Sequence, residues 1–182
     1  MNIQGEKVTL RAISSQDATV LLELMNDPEI EVMLGGSSFP ISSEHQLHWI
    51  ESLSGSSDCL RCMIAPVEEP EKGVGTVILN PIDYKNGTAE IHIKLDRTTG
   101  QGHGYGTDAI RTMVRYAFSE LRLTCVYAYV LRYNLPSQKV FQKCGFQQEG
   151  ILRSRVFKNG NYHDLLSYSI IRGDLKYEGN WK

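Results

Sequence analysis

From Gln101 to Gly106 the chain reads Gln-Gly-His-Gly-Tyr-Gly, between a strand-like run, Thr88 to Leu95, and a strongly periodic helical pattern, Thr107 to Leu121. Three glycines in five residues leave the main chain free to adopt positive φ and to present N–H groups with no Cβ in the way. The helix that follows leaves its first N–H groups unpaired and carries partial positive charge at its start. Strand, glycine turn and helix start in that order make an anion cradle suited to a phosphate or pyrophosphate.

Elimination narrows the ligand. A nucleotide-hydrolase phosphate loop ends in Gly-Lys-Ser/Thr, whereas Gly106 is followed by Thr107-Asp108. A dinucleotide fingerprint can be written onto Gly104, Gly106 and Ala109, but it wants an acidic residue about 20 positions on to hold the ribose. From Leu121 to Gln148 there is no Asp or Glu. What remains is a phosphate ligand whose ribose is not read by a carboxylate.

Gln101-x-x-Gly104-x-Gly106 resembles the Gln/Arg-x-x-Gly-x-Gly/Ala signature of the GNAT superfamily of N-acetyltransferases. One helix and one strand later, Asn134-Leu-Pro-Ser137-Gln-Lys-Val-Phe-Gln-Lys143-Cys-Gly145-Phe146 resembles the superfamily's second motif. Glu149-Gly150-Ile-Leu-Arg153 and Asn159-Gly160-x-Tyr162-x-Asp164 resemble the ribosomal-protein (RimJ/RimL-like) and polyamine branch. The resemblance implies an acetyl-CoA-dependent acyltransferase acting on a primary amine, most of all a protein N-terminal α-amine, with a polyamine or other small amine as the alternative acceptor. It also implies an α/β (α+β) GNAT fold, a mixed six- to seven-stranded sheet splayed between strands 4 and 5 and flanked by about four helices. Gln101, Gly102, His103, Gly104, Tyr105, Gly106 and Thr107 would then hold the cofactor's pyrophosphate. Ile93 and Leu95 would meet pantetheine and thioester through their main chain, Asn134 would bond the pantetheine arm, and Lys143 joins them as a basic residue of the second motif.

The rest of the chain agrees with one domain, 1–182, of ordinary composition: 41% apolar, 22% charged, net charge −2. The start Met1-Asn2-Ile3-Gln4-Gly5 lacks the basic, apolar character of a secretory signal, and no apolar run approaches a membrane span, so a cytoplasmic protein without membrane contact is expected. Cys59-x-x-Cys62 has half a zinc site's spacing, but Cys125 and Cys144 offer no second pair, so all four are read as reduced packing residues and no metal is expected. Residues 97 to 148 hold seven Lys or Arg against two acids, while residues 1 to 96 hold six against fifteen. A basic cofactor half suits coenzyme A, and an acidic first half suits a cationic acceptor. No basic block with interleaved aromatics argues for direct nucleic-acid binding. A homodimer is the assembly considered.

In chain order, Lys7 to Ala12 reads as a strand. Ser14-x-x-Asp17 opens a helix turning Ala18, Leu21, Leu22 and Met25 inward and stopped by Asn26-Asp27-Pro28. Glu29 to Pro40, with Gly35-Gly36-Ser37-Ser38, reads as a loop, and Ser43-x-x-Gln46 caps a helix to about Leu53 with Leu47 and Ile50 as core candidates. These acceptor-side helices, about 14–54, precede an acetyl-CoA core of about 60–157 and a hairpin ending near 172. Strands follow at Leu60 to Val67, Gly73 to Ile82 and, after the Asn86-Gly87 turn, Thr88 to Leu95, whose alternation sets Glu90, His92 and Lys94 against Ile91, Ile93 and Leu95. Val126 to Leu131 is a further strand, Pro136 to Cys144 a short helix, and Gln147 to Phe157 pairs with Tyr162 to Ile171.

Acetyl transfer to an amine needs a free amine, a polarised carbonyl and a proton for the departing thiolate. An α-amine, with pKa near 8 against about 10.4 for lysine, asks only for a weak base. Glu90, on the strand entering the glycine turn, ranks first for that role, ahead of His92 and Asp164. Many GNAT members carry a tyrosine acid where this chain has Phe141, which has no proton to give. Ser137, one helical turn earlier, is the alternative, ahead of Tyr105 and Tyr133; as a first-turn residue it also reads as a helix cap. Without the tyrosine, a non-catalytic acyl-CoA-binding module is the reading from another class.

Overall fold

The computed structural model describes residues 1–36, 39–53 and 57–175. Eight strands form one mixed sheet: β1 (Ile3–Gln4), β2 (Val8–Arg11), β3 (Leu60–Pro66), β4 (Gly75–Asp83), β5 (Thr88–Leu95), β6 (Cys125–Leu131), β7 (Gln147–Lys158) and β8 (Asn161–Ile171). Their order is β1-β2-β3-β4-β5-β6-β8-β7. The strand beyond the expected six to seven is β1, two residues long and too short to show a period. Five helices are α1 (Ala18–Asn26), α2 (Pro28–Val32), α3 (Ser43–Glu51), α4 (Tyr105–Ser119) and α5 (Leu135–Lys143).

Alternation along the strands separates two packing layers. Cys62 and Ile64 of β3, Val77 and Leu79 of β4 and Ala89 and Ile91 of β5 pack in one cluster with Ala109, Ile110, Met113 and Ala117 of α4. Met63, pointing the other way from its neighbours, packs instead with Leu21, Leu24 and Ile30 of the amino-terminal helices. The sheet is thus covered by α4 on one face and by α1 and α3 on the other. Asp108 of α4 fastens the first strands to this layer, accepting from the N–H groups of Lys7 at 2.8 Å and Val8 at 3.0 Å.

The helix read as ending at Asp27-Pro28 is followed at once by another. Asp27 accepts hydrogen bonds from the N–H groups of Glu29 and Ile30, and Pro28 occupies the first turn, where its missing N–H costs nothing. The same residues that stop α1 therefore start α2 inside the stretch taken as a loop; Ser37 and Ser38 lie outside the described residues. In α3 the cap is Ser42, one residue earlier than read, Leu47 is exposed and Gln46 is buried in its place. In α1 the inward residues are Leu21 and Leu24, while Met25 stands beside a cavity rather than in a closed core.

Sheet pairing between β5 and β6 is parallel and covers only Thr88 with Cys125, Ala89 with Val126 and Glu90 with Tyr127. On its other edge β5 stays paired with β4 as far as Leu95 opposite Gly75. The splay expected between the fourth and fifth long strands is therefore present. It leaves the β6-facing main chain of 91–95 without a strand partner. Among the described residues no helix is long and apolar enough to cross a membrane, and no group of three His, Cys, Asp or Glu is placed to hold a metal. The four cysteines are free; burial pushes the Cys62 thiol up to about 12 and Cys144 to about 11.

Candidate active site

The glycine turn is built as an open cradle. Asp96 follows β5 and gathers the N–H groups of Thr98 (3.0 Å) and Thr99 (2.7 Å), which holds its carboxyl down at about 2 against the raising effect of burial and fixes the approach to the turn. Gly102 and Gly104 both have φ of +83°, and Gly104 is the N-cap of α4, whose first residue, Tyr105, lies two positions earlier than the periodicity suggested. The first intrahelical bond runs from Asp108 N–H to the Gly104 carbonyl at 3.1 Å. The N–H groups of Tyr105, Gly106 and Thr107 thus have no acceptor within the helix.

These groups open onto a cavity of about 570 Å³. Ile93 and Leu95 of β5 form one wall, and Gln101, Gly102, Gly104, Tyr105, Gly106 and Thr107 form the end with the cradle. Asn134 and Ser137, at the start of α5, form the opposite wall. Two expected cofactor residues stand apart: His103 stacks on Tyr105 with ring centroids 5.2 Å apart, and the Lys143 carbonyl accepts from Arg111 at 2.9 Å, neither lining the cavity. Asn134 is the cap of α5. Its Oδ1 accepts from Ser137 N–H at 3.1 Å and its Nδ2 donates to the Met33 carbonyl at 2.9 Å. Since Asn134 does the capping, the Ser137 hydroxyl is left without a hydrogen-bond partner among the described residues.

A second cavity of about 350 Å³ occupies the gap between β5 and β6. It shares Ile93, Lys94, Asn134 and Ser137 with the first and adds Glu90, His92 and Phe141. Glu90 and Ser137, assigned separately from sequence, therefore face one space. The Glu90 side chain is 20% exposed and lies 3.6 Å from His92 Nε2; burial raises its pKa and the neighbouring imidazole opposes that rise. His92 is also held by the Asn80 carbonyl at 2.9 Å. Phe141 is buried edge-on to Phe146 at 5.0 Å. Tyr133 donates its hydroxyl to the Val32 carbonyl. Asp164 anchors the last hairpin, accepting from Ser154 N–H at 2.9 Å and Arg132 at 3.0 Å, outside these cavities.

On the α1 and α3 side lies a third cavity of about 320 Å³, walled by Leu21, Leu24, Met25, Ile41, Trp49 and Ile78. His45, Gln46, Thr76, His92 and Lys94 supply its polar atoms, and among its described lining residues there is no carboxylate. Three acids of the first half are engaged elsewhere: Asp17 with Arg11 at 2.7 Å, Glu29 with Arg97 at 2.7 Å, and Glu31 with the buried Lys158.

Three features escaped the sequence reading. Helix α2 and its continuation supply Ile30, Val32, Met33 and Leu34 to the wall of the 570 Å³ cavity, and the signal available was Asp27-Pro28-Glu29 read as a start as well as a stop. Arg97 lines the same cavity and ties α2 to the end of β5. Lys94 was placed on the right face of β5 but given no role.

Residues 7–147 match the family model described as "Acetyltransferase (GNAT) domain". An uncharacterized N-acetyltransferase, p20, of Bacillus licheniformis is 32% identical over 169 residues, covering 92% of this chain and 94% of the relative. The spermidine N(1)-acetyltransferase of Vibrio cholerae is 28% identical over 169 residues, covering 92% and 95%. A solved structure of Vibrio cholerae spermidine N-acetyltransferase with CoA and spermine superposes with a TM-score of 0.84 at 24% identity, covering 92% of this chain and 97% of that one. An open glycine cradle at a helix start, a sheet parted beyond Glu90 and a family match across both place this chain in the GNAT family, as an acetyl-CoA-dependent N-acetyltransferase.

Proposed function

We propose that the acceptor is a singly charged α-amine, a protein N-terminus of the ribosomal-protein type, received from the α1 and α3 side of β5. The observation that carries this reading is the third cavity, apolar in its walls and without a carboxylate among its described lining residues. A polyamine needs anionic partners for each of its ammonium groups, since burying an unpaired charge is costly. The resemblance of residues 149–164 is to the ribosomal-protein and polyamine branch together, so the choice between the two acceptors rests on the cavity.

Acetyl-CoA supplies the thioester whose acetyl group passes to the amine and whose thiolate departs. In this reading Glu90 takes the amine's proton, directly or through water, and the main chain of 93–95 polarises the carbonyl. Ser137 returns a proton to sulfur. A carboxylate with a raised pKa is the better base for an amine titrating near 8. Because Glu90 must be ionised to act, turnover is present above its pKa, which burial raises, and is lost as pH falls through it, the acid limb of the profile. Glu90→Gln should lower kcat by about 10²-fold to 10⁴-fold and remove that limb from the kcat profile. An unchanged limb in a folded Glu90→Gln enzyme assigns the base to another group.

The acceptor reading is tested by kcat/KM for a peptide with a free amino terminus against spermidine, followed by thiol release. The peptide should win by about tenfold or more, at least 1.4 kcal/mol of discrimination. A polyamine acceptor is the second reading, supported by the 28% identical spermidine acetyltransferase, and a preference for spermidine would establish it instead.

A further inference from the structure

Ile93 and Lys94 are common to the three cavities, so the Lys94 side chain stands where the cofactor side, the gap between β5 and β6 and the apolar acceptor side meet. Its Nζ donates to the Met25 thioether at 3.0 Å, and no carboxylate pairs with it among the described residues. A thioether is a weak acceptor, and an ammonium has three donors to place. Burial lowers the pKa of Lys94, Glu31 raises it and Lys158 lowers it further. Glu31 is itself paired with Lys158, so its charge is shared. A half-buried ammonium at the edge of an apolar chamber has donors that a ligand oxygen can accept from in place of water.

We infer that Lys94 recognises the acceptor by donating a hydrogen bond to the carbonyl oxygen next to its amine, so that the substrate is an α-amino acyl compound whose apolar side chain fills the 320 Å³ cavity. This inference rests on the α-amine reading above and names its chemistry more closely. Glu90, His92 and Lys94 share one face of β5, with positions 90 and 94 about 13 Å apart along the strand, so Lys94 meets the carbonyl and Glu90 reaches the amine through water. Leu21, Leu24 and Trp49 offer the side chain only apolar contact. An ammonium group at the junction also disfavours a second positive charge on the ligand. The oxygen belongs either to the carboxylate of a free amino acid or to the first carbonyl of a peptide.

The test compares phenylalaninamide, phenylalanine, phenethylamine and spermidine as acceptors for the wild type, Lys94→Met and Lys94→Gln. Melting temperature and KM for acetyl-CoA are recorded for each enzyme. The wild type should favour phenylalaninamide or phenylalanine over phenethylamine by about 10-fold to 100-fold in kcat/KM counted per unprotonated amine, which removes the difference in ammonium pKa and leaves the range of one charge-assisted hydrogen bond. In both variants that preference should fall to near unity while phenethylamine turnover is kept. Which of amide and carboxylate is better in the wild type identifies the source of the oxygen. Equal use of phenylalaninamide and phenethylamine by the wild type overturns the role of Lys94 and leaves the α-amine reading standing. A uniform loss over all acceptors in both variants overturns it as well, since Lys94 then serves the fold or the cofactor. Spermidine as the best wild-type acceptor, or turnover of none of the four, overturns both readings together.

Discussion

Gly106→Val should abolish coenzyme A binding, the largest single effect expected from any substitution in this chain. Gly106 lies in the first turn of α4 with its N–H at the cradle, and a Cβ built there comes within 2.9 Å of Leu95 Cδ1 across the cleft. A side chain at this position takes the space between β5 and the helix start and displaces Leu95 toward the ligand. Gly106 has no positive φ, so the change carries no left-handed strain; the end of a leucine side chain is the group that must give way. Gly104→Val differs, because φ of +83° adds about 1 to 2 kcal/mol of backbone cost to the loss of the cradle. Both enzymes should lose the stabilisation that coenzyme A gives the wild type, about 2.7 kcal/mol at 100 times the dissociation constant. Gly104→Val alone should also melt lower without ligand. Near-normal calorimetric affinity in folded Gly106→Val would refute the placement of the pyrophosphate.

Ser137→Ala should lower kcat with little change in acetyl-CoA affinity. The loss of a general acid is typically 10²-fold to 10⁴-fold, and the lower end of about 10²-fold is expected here because a thiol of pKa near 8.5 is already a fair leaving group. Helix α5 takes its cap from Asn134, so removing the Ser137 hydroxyl should leave the melting temperature nearly unchanged. That separation of activity from stability distinguishes the acid from a capping residue. Phe141 borders the same cavity, and Phe141→Tyr restores a hydroxyl one turn away and should recover part of the loss in the double variant. Wild-type turnover of Ser137→Ala across the pH range would mean that water protonates the thiolate.

The parts of the site that were legible in the sequence are local ones. Glycines at 102, 104 and 106 declare a turn that tolerates positive φ, and alternation from Thr88 to Leu95 separates Glu90, His92 and Lys94 from the core face without any knowledge of the partner strands. The parts that were not legible depend on residues far apart in the chain. Asp108 enters the sequence reading only as a residue that breaks the Gly-Lys-Ser/Thr pattern, yet it bonds the N–H groups of Lys7 and Val8, about a hundred residues away. Tyr133 reads as a spare hydroxyl, yet it is bonded to Val32, and Glu31 reads as part of an acidic acceptor surface, yet it meets Lys158. The importance of Lys94 arises because three cavities converge on it, and convergence has no signature in a linear pattern.

In the proposed mechanism the parted strands β5 and β6 place cofactor and acceptor on opposite sides of one short segment, Ile93 to Leu95. A crystal structure with bound coenzyme A tests it most directly. Pyrophosphate oxygens are expected on the N–H groups between Gly102 and Thr107, pantetheine bonded to the free main chain of 93–95, and sulfur within hydrogen-bond reach of the Ser137 hydroxyl. Coenzyme A bound away from the glycine turn, or sulfur on the far side of β5 from Ser137, would contradict it.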